Sequence, residues 1–281
     1  MNNSRIEHFL AAITEADGTE ALSHAKTVRL RDADRLVVIE EDDEVVAVGA
    51  TAQHLHDDGS YHWAIETALE PGLRFAAFED RLLKSALDLT PHGDPVSVWS
   101  HRHSLDAALE RAGFVAAREL VHYVVRLPIS EPVGDLHVRP LETRDVVRVL
   151  AINREAFAGH REAASLDEPE FRRLLKCQGL GPEGFLVAED DGEIIGFCWT
   201  RVHENGDGEI YRIAASPTRQ GRGLGRSLAL AGFAYLSRQA QVRRGTLWVD
   251  RGNTRAVALY EGMGMAQDTI NREFVRLKTV N

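Results

Sequence analysis

Apolar and polar positions along the 281-residue chain fall into a pattern that is written twice. Leu36-Val-Val-Ile-Glu-Glu-Asp-Asp-Glu-Val-Val-Ala-Val-Gly-Ala-Thr51 and Phe185-Leu-Val-Ala-Glu-Asp-Asp-Gly-Glu-Ile-Ile-Gly-Phe-Cys-Trp-Thr200 each set two apolar runs around an acidic turn, which predicts a hairpin in each copy. Further on, Val96-Ser-Val-Trp99 with a helix ending at Ala112-Gly113-Phe114 parallels Thr246-Leu-Trp-Val249 with a helix ending at Met263-Gly264-Met265. A strand follows each, over 120–127 and over 273–277. Leu73 to Leu89 and Arg139 to Leu150 read as plain amphipathic helices. The repeat predicts an α/β fold with a mixed (α+β) sheet, organised as two similar tandem domains, 1–130 and 135–281, linked by the Pro-containing 127–134 stretch.

Composition changes this picture little. With 44% hydrophobic and 27% charged residues the chain can bury a real core. No apolar run approaches the roughly 20 residues of a membrane helix, and Met-Asn-Asn-Ser-Arg is not expected to be a signal peptide, so cytoplasm is the expected location. Cys177 and Cys198 have neither disulfide-framework nor metal spacing and are expected as reduced thiols. Charge is more telling. Residues 1–134 carry 12 Lys/Arg against 23 Asp/Glu, a balance of -11, whereas 135–281 carry 21 against 20, a balance of +1. An anionic small molecule is expected in the second half, and an acidic first half argues against nucleic acid.

The second half also holds the candidate chemistry. Ile210 to Ala215 reads as a strand, Ser216-Pro217 as a turn, and Gly221, Gly223 and Gly225 lie where that strand hands over to an apolar helix. Glycines let an anion approach the main chain, and the helix offers its first unpaired N–H groups. Arg219, Arg222 and Arg226 add positive charge, so a pyrophosphate is the expected guest, against the plainer reading of a flexible turn with solvated arginines. The loop lacks both the Gly-Lys-Ser/Thr ending of a triphosphate loop and the G-x-G-x-x-G spacing of a dinucleotide fold.

Gln220-Gly-Arg-Gly-Leu-Gly225 instead resembles the coenzyme A loop of the GCN5-related N-acetyltransferases (GNAT), and Asn253-Thr-Arg-Ala-Val-Ala-Leu-Tyr-Glu-Gly-Met-Gly-Met265 resembles that family's closing segment. The resemblance implies two GNAT-like domains, with acetyl-CoA as co-substrate and no metal. Ile213, Ala214 and Ala215, the loop from Gln220 through Gly221, Arg222, Gly223, Leu224 and Gly225 to Arg226, and Asn253, Thr254, Arg255 and Ala256 would hold acetyl-CoA. Asn253 equally suits a helix cap. Acetyl transfer needs a neutral amine, and Glu209, opening the strand that leads to the loop, would be the general base. Tyr260 would protonate the departing thiolate. Read from the pattern alone, Glu209 could be a surface carboxylate and Tyr260 a core aromatic.

A closer resemblance, to the tandem-domain mycothiol synthase family, rests on Asn153-Arg-Glu-Ala-Phe-Ala-Gly-His-Arg-Glu162, Gly196-Phe-Cys-Trp-Thr-Arg-Val-His203 and Gly208-Glu-Ile-Tyr211, and on 98–101 and 118–120 of the first copy. It implies acetylation of the cysteinyl amine of Cys-GlcN-Ins, with Glu162, Arg201, Glu209, Trp248 and His24 facing the substrate. Arg201 stands where the family usually has Lys, Trp248 where it has Tyr, and His24 where it has Glu. Aligning Pro71 with Pro217 sets Ala77 opposite Gly223 and Glu79 opposite Gly225, so the first copy is expected to have lost productive cofactor binding and to serve as scaffold and one wall of the substrate cleft. Acetylation of another small amine or a peptide N-terminus, and an acyl-CoA-binding sensor without turnover, remain open. The expected partner is a small-molecule amine, with no nucleic acid and no membrane, and the protein is expected as a monomer.

Overall fold

The computed structural model describes residues 3–17, 21–22, 35–55, 60–101, 105–158, 166–176, 179–219 and 223–276. The fold is mixed α/β, and the chain divides into two compact units, Met1–Leu120 with Thr269–Asn281, and Val121–Asp268. The final strand therefore contributes most of its length to the first unit.

In that first unit β1 (Leu36–Glu41) and β2 (Glu44–Leu55) form the first expected hairpin, followed by β3 (Tyr61–Leu69) and β4 (Val96–His101). Asp42 and Asp43 both take positive φ (49° and 64°), as a two-residue hairpin turn requires, and a short polar side chain tolerates this. β4 pairs antiparallel with residues 271–276 of β11 (Ala266–Arg276). Helix α1 (Asn3–Asp17), beyond the expected elements, docks Ile6, Phe9, Leu10 and Ile13 onto Val48, Ala50 and Ala68. Its i, i+3, i+4, i+7 spacing carried the signal. Helix α2 (Ala76–Leu87), shorter than the expected 73–89, buries Phe78 and Leu82 against Ala47 and Leu69, and α3 (Asp106–Arg111) completes the unit.

The second unit orders its strands β5-β10-β9-β8-β7-β6, with β5 (Val115–Arg126) entering from Val121 onward. β7 (Phe185–Asp190) and β8 (Glu193–Val202) are the second hairpin, β9 spans Gly208–Ala215 and β10 Arg244–Asp250. The expected helix over 139–150 is a correction. Residues His137–Pro140 form strand β6, Thr143–Asp145 a 3-10 turn, and helix α4 begins only at Val146 and runs to Ala156. Pro140 has no N–H and biases Arg139 to extended backbone, and Asp145 accepts from the Glu142 N–H at 2.7 Å in a capping box that starts the turn. Helix α5 (Glu168–Leu174) lies with α4 on one face of the sheet and packs its Phe171 among Phe185, Phe197 and Trp199. Helix α6 (Leu224–Arg238) approaches β8 so closely that a Cβ on Gly232 would lie 2.5 Å from the Cys198 sulfur. Cys198 is a buried free thiol, and burial pushes its pKa up; Cys177 lies outside the described residues. Helix α7 (Thr254–Glu261) follows β10.

Candidate active site

Two irregularities in the strands of the second unit build the site. β8 and β9 pair in antiparallel register until a shift at Trp199/Thr200, where Trp199 faces Arg212 and Thr200 faces Ile210. Tyr211 is the extra residue, a β-bulge that bends β9. On its other edge β9 runs parallel to β10, paired only across Gly208–Ile210 and Gly245–Leu247. From Tyr211 onward β9 continues without β10 as its partner. The backbone of Ile213, Ala214 and Ala215 therefore lines a parting of two parallel strands, a place where an amide-bearing chain could add as a short strand.

That run leads into the 3-10 turn Pro217–Arg219 and then to α6. Gly223 precedes the helix at φ 76°, where an L side chain is strained, and no side chain caps the helix. An anion would meet the first N–H groups of α6. Gly225 is the second residue of α6, where an added Cβ would stand in ordinary contact, 3.5 Å from Leu259 Cδ1. Arg226 binds Glu131 (2.7 and 2.5 Å) and the Gly262 carbonyl, and Arg219 binds Asp190 at 3.0 Å. Both guanidiniums are thus engaged by carboxylates, and Gln220, Gly221 and Arg222 lie outside the described residues. Asn253 caps α7, accepting from the Ala256 N–H at 3.2 Å, with Thr254 and Arg255 exposed at the same helix start.

Glu209 sits at the closed end of the parting, opposite Arg201 on β8 and Thr246 on β10. It is buried, 8% exposed, and its Oε2 lies 2.8 Å from His203 Nε2. Burial pushes the carboxyl pKa up, but the His203 hydrogen bond and the nearby His203, Arg201 and His122 outweigh it and hold Glu209 below the ordinary carboxylate value. A buried carboxylate that stays ionised beside a strand opening is equipped to accept a proton. His122 on β5 stacks on Trp248 at 4.6 Å and bonds Asp268 through Nδ1 at 2.9 Å. Burial lowers the His122 pKa more than Asp268 raises it, which favours the neutral imidazole. The structure sets Arg201 opposite Glu209 and Trp248 against His122, which lies near Glu209, so His203 and His122 join the residues the sequence singled out. His203 closes a motif quoted above, and His122 had no sequence signal beyond its place on a strand.

Tyr260, on α7, is buried and has its pKa raised by burial and then by the neighbouring Cys198 thiol. Cys198 is the register partner of Ile213, so Tyr260 belongs to the α6 end of β9, along the backbone run and away from Glu209. Glu162 and His24 lie outside the described residues. Asn153 anchors Arg212 at 3.0 Å, and Arg212 lies over the Phe157 ring, so this part of the Asn153–Glu162 segment supports β9 from the α4 side.

The first unit repeats the frame without these features. β2 and β3 pair without a register shift from Ala47↔Leu69 to Leu55↔Tyr61. Pro71 opens a 3-10 turn as Pro217 does, but α2 starts five positions after its proline whereas α6 starts seven after. The first connection is thus two residues shorter, and Phe75, in extended backbone, precedes its helix in place of a left-handed glycine.

The Acetyltransferase (GNAT) family profile matches residues 147–265. A mycothiol acetyltransferase of Streptomyces griseus is 34% identical over 288 residues, covering 96% of this chain and 92% of that protein. One from Thermobispora bispora is 32% identical over 277 residues, covering 92% and 91%. This chain belongs to the mycothiol acetyltransferase family. Among solved structures, a tandem GNAT protein from the clavulanic acid biosynthesis pathway superposes with TM-score 0.71 at 16% identity over 100% of this chain and 97% of the other. A GCN5-related N-acetyltransferase from Sphaerobacter thermophilus gives 0.69 at 21% identity, covering 97% and 91%. These two share the fold. As a member of that family the chain is an N-acetyltransferase that takes its acetyl group from acetyl-CoA, and the parting of β9 from β10 and the uncapped start of α6 fit that co-substrate. No helix among the described residues is long and apolar enough to cross a membrane.

Proposed function

We propose that the protein acetylates the cysteinyl amine of Cys-GlcN-Ins to form mycothiol, with the second unit as the catalytic one. The observation that carries the catalytic reading is a buried, ionised Glu209 at the closed end of a strand parting whose backbone leads to an uncapped helix start. The names of relatives that align over 92–96% of this chain support the acceptor. Ile213–Ala215 would hold the amides of the pantetheine arm, and 220–226 with the start of α7 the pyrophosphate end. Asn253 gives its Oδ1 to the cap and keeps its side-chain N–H groups for that contact, beside Thr254, Arg255 and Ala256.

Glu209 accepts the amine proton as nitrogen attacks the thioester carbonyl carbon. The new C–N bond forms and the C–S bond breaks. Tyr260, whose raised pKa keeps it a phenol at neutral pH, offers its O–H to the departing thiolate. Arg201 and Trp248, with Glu162 and His24, would contact the acceptor. The first unit, with its shorter connection and unbulged strand, would no longer bind acetyl-CoA productively. A cytoplasmic monomer that uses no metal and acts on a small molecule rather than nucleic acid is part of the same proposal.

Free thiol release tests this with acetyl-CoA and Cys-GlcN-Ins, then with a panel of other amines and peptide N-termini. Turnover confined to Cys-GlcN-Ins supports the acceptor. Turnover only on other amines replaces it, and acetyl-CoA binding without turnover on any amine turns the protein into a sensor.

A further inference from the structure

We propose that His122 is a further acceptor-binding residue: its Nε2 lone pair takes a hydrogen bond from the amine that Glu209 deprotonates. This rests on the reading of Glu209 as base and of a free amine as the acceptor. Sheet register puts the two side chains on one face. Glu209 is paired with Arg201 on β8 and with Thr246 on β10, and Trp248, two residues after Thr246, points the same way. β10 has β5 as its other neighbour, and His122 on β5 stacks on Trp248 with ring centres 4.6 Å apart and planes 30° apart. Arg201, Glu209, Trp248 and His122 therefore share one face of four adjacent strands.

The hydrogen bonding of the ring decides what each nitrogen can do. Nδ1 lies 2.9 Å from Asp268 Oδ2, and as a carboxylate Asp268 can only accept, so Nδ1 carries the hydrogen. Burial favours the neutral ring, and a neutral imidazole with its hydrogen on Nδ1 has a bare lone pair on Nε2. Among the described residues no group donates to that nitrogen, and it is not one of the polar atoms sealed from solvent. The charged groups facing the ring are Asp268, Arg244 on β10, which lies 3.5 Å from the same Asp268 oxygen, and Glu209 on β9, itself flanked by Arg201 and His203. An ammonium that gives one proton to Glu209 still has two N–H groups to place. Arg201 can only donate, and His203 Nε2 donates to Glu209 at 2.8 Å, whereas His122 Nε2 is a neutral acceptor on the same face. A neutral acceptor orients the amine without the stabilisation of its charged form that a second carboxylate would bring. No proton moves to His122, and the bonds made and broken remain the C–N and C–S bonds of acetyl transfer.

The test compares the wild type, His122→Gln and His122→Phe in steady-state kinetics with Cys-GlcN-Ins. Phe keeps a ring against Trp248 but has no lone pair, whereas the Gln side-chain oxygen can take the place of Nε2. His122→Phe is expected to lose at least about tenfold in kcat/KM for the acceptor with the acetyl-CoA KM unchanged, and His122→Gln to keep most of it. The wild-type acceptor KM is expected to rise as pH falls below about 6.5, where an imidazolium would turn an N–H toward the ammonium, and the Phe variant to lack that rise. Nitrogen NMR of wild-type protein labelled at its histidines is expected to show His122 with its hydrogen on Nδ1, and an Nε2 resonance that shifts when Cys-GlcN-Ins binds with coenzyme A. A His122→Phe enzyme with wild-type kcat/KM for the acceptor, equal losses in the Phe and Gln variants, or a wild-type ring with its hydrogen on Nε2 overturns the proposal. The wild-type spectrum decides alone if the variants do not fold. Glu209→Gln scores the underlying reading separately: full rate there removes the base, whereas full rate in His122→Phe removes only His122. If turnover is found only on another amine, the same comparison is made with that amine, because the proposal needs only its N–H.

Discussion

Replacing Glu209 by Gln keeps the shape of the side chain and an oxygen for His203, and removes the charge and, with it, the proposed base. Loss of a positioned general base costs about 10²–10⁴-fold in kcat. At about 1.36 kcal/mol per tenfold this corresponds to roughly 2.7–5.4 kcal/mol of barrier. The deficit should shrink as pH rises past the amine's own value of about 8, because solvent then supplies the neutral nucleophile. The acetyl-CoA KM should hold, since the backbone of Ile213–Ala215 and the start of α6 lie further along β9. Stability carries a sign as well. The folded-state pKa of Glu209 lies below its unfolded value, so the charged form stabilises the fold above the unfolded pKa, and that contribution is lost as pH falls through the folded value. Gln should therefore lower the melting temperature at pH 7 and converge with the wild type under strongly acidic conditions. Thiol release measured from pH 6 to 10, beside thermal melts, reads both. A Gln variant with full kcat at neutral pH, or one whose loss is confined to the acetyl-CoA KM, refutes the assignment.

Three further outcomes are expected. Gly223→Ala should cost about 1–2 kcal/mol, all of it from the left-handed backbone because an added Cβ meets no atom within 4 Å, and should weaken acetyl-CoA binding; unchanged melting and affinity would remove Gly223 from the loop's requirements. Tyr260→Phe should lower kcat by about 10²-fold or more without moving the acid limb, and full activity would return Tyr260 to the core-packing role. Asp145, 3% exposed, accepts from Arg139 at 2.6 and 3.0 Å and from the Glu142 N–H, so Asp145→Asn should destabilise the second unit by about 2–3 kcal/mol in denaturant unfolding. Because Arg139 holds the Asp145 pKa below its ordinary value, that difference should persist above the carboxylate range and fade as pH drops through it.

The two hairpins, the strand from Ile210 to Ala215 and the helix after the glycines were legible because each is a local pattern: apolar alternation, an acidic pair able to take positive φ, a glycine before a helix. Family motifs singled out Glu209, Tyr260 and the loop as candidates for the same reason, being contiguous. Local pattern failed at 139–150, where apolar spacing suited a helix but Pro140 and the pairing of Arg139 with Val187 took the first residues into a sheet. The cap at Asn253 was one of the two readings its place before α7 allowed, but local pattern could not foresee that Arg226 would be drawn to Glu131, 95 positions away.

Tertiary structure alone decided which groups surround Glu209. His203 reaches Glu209 through a turn whose closure depends on Asp207, and His122 arrives on a strand 87 positions earlier in the chain. Sequence sets which side chains are available and which segments can be strands or helices, since those depend on neighbours along the chain. The state of a proton on Glu209 depends on neighbours in space: on how much water is excluded, and on which cations the sheet register places opposite it.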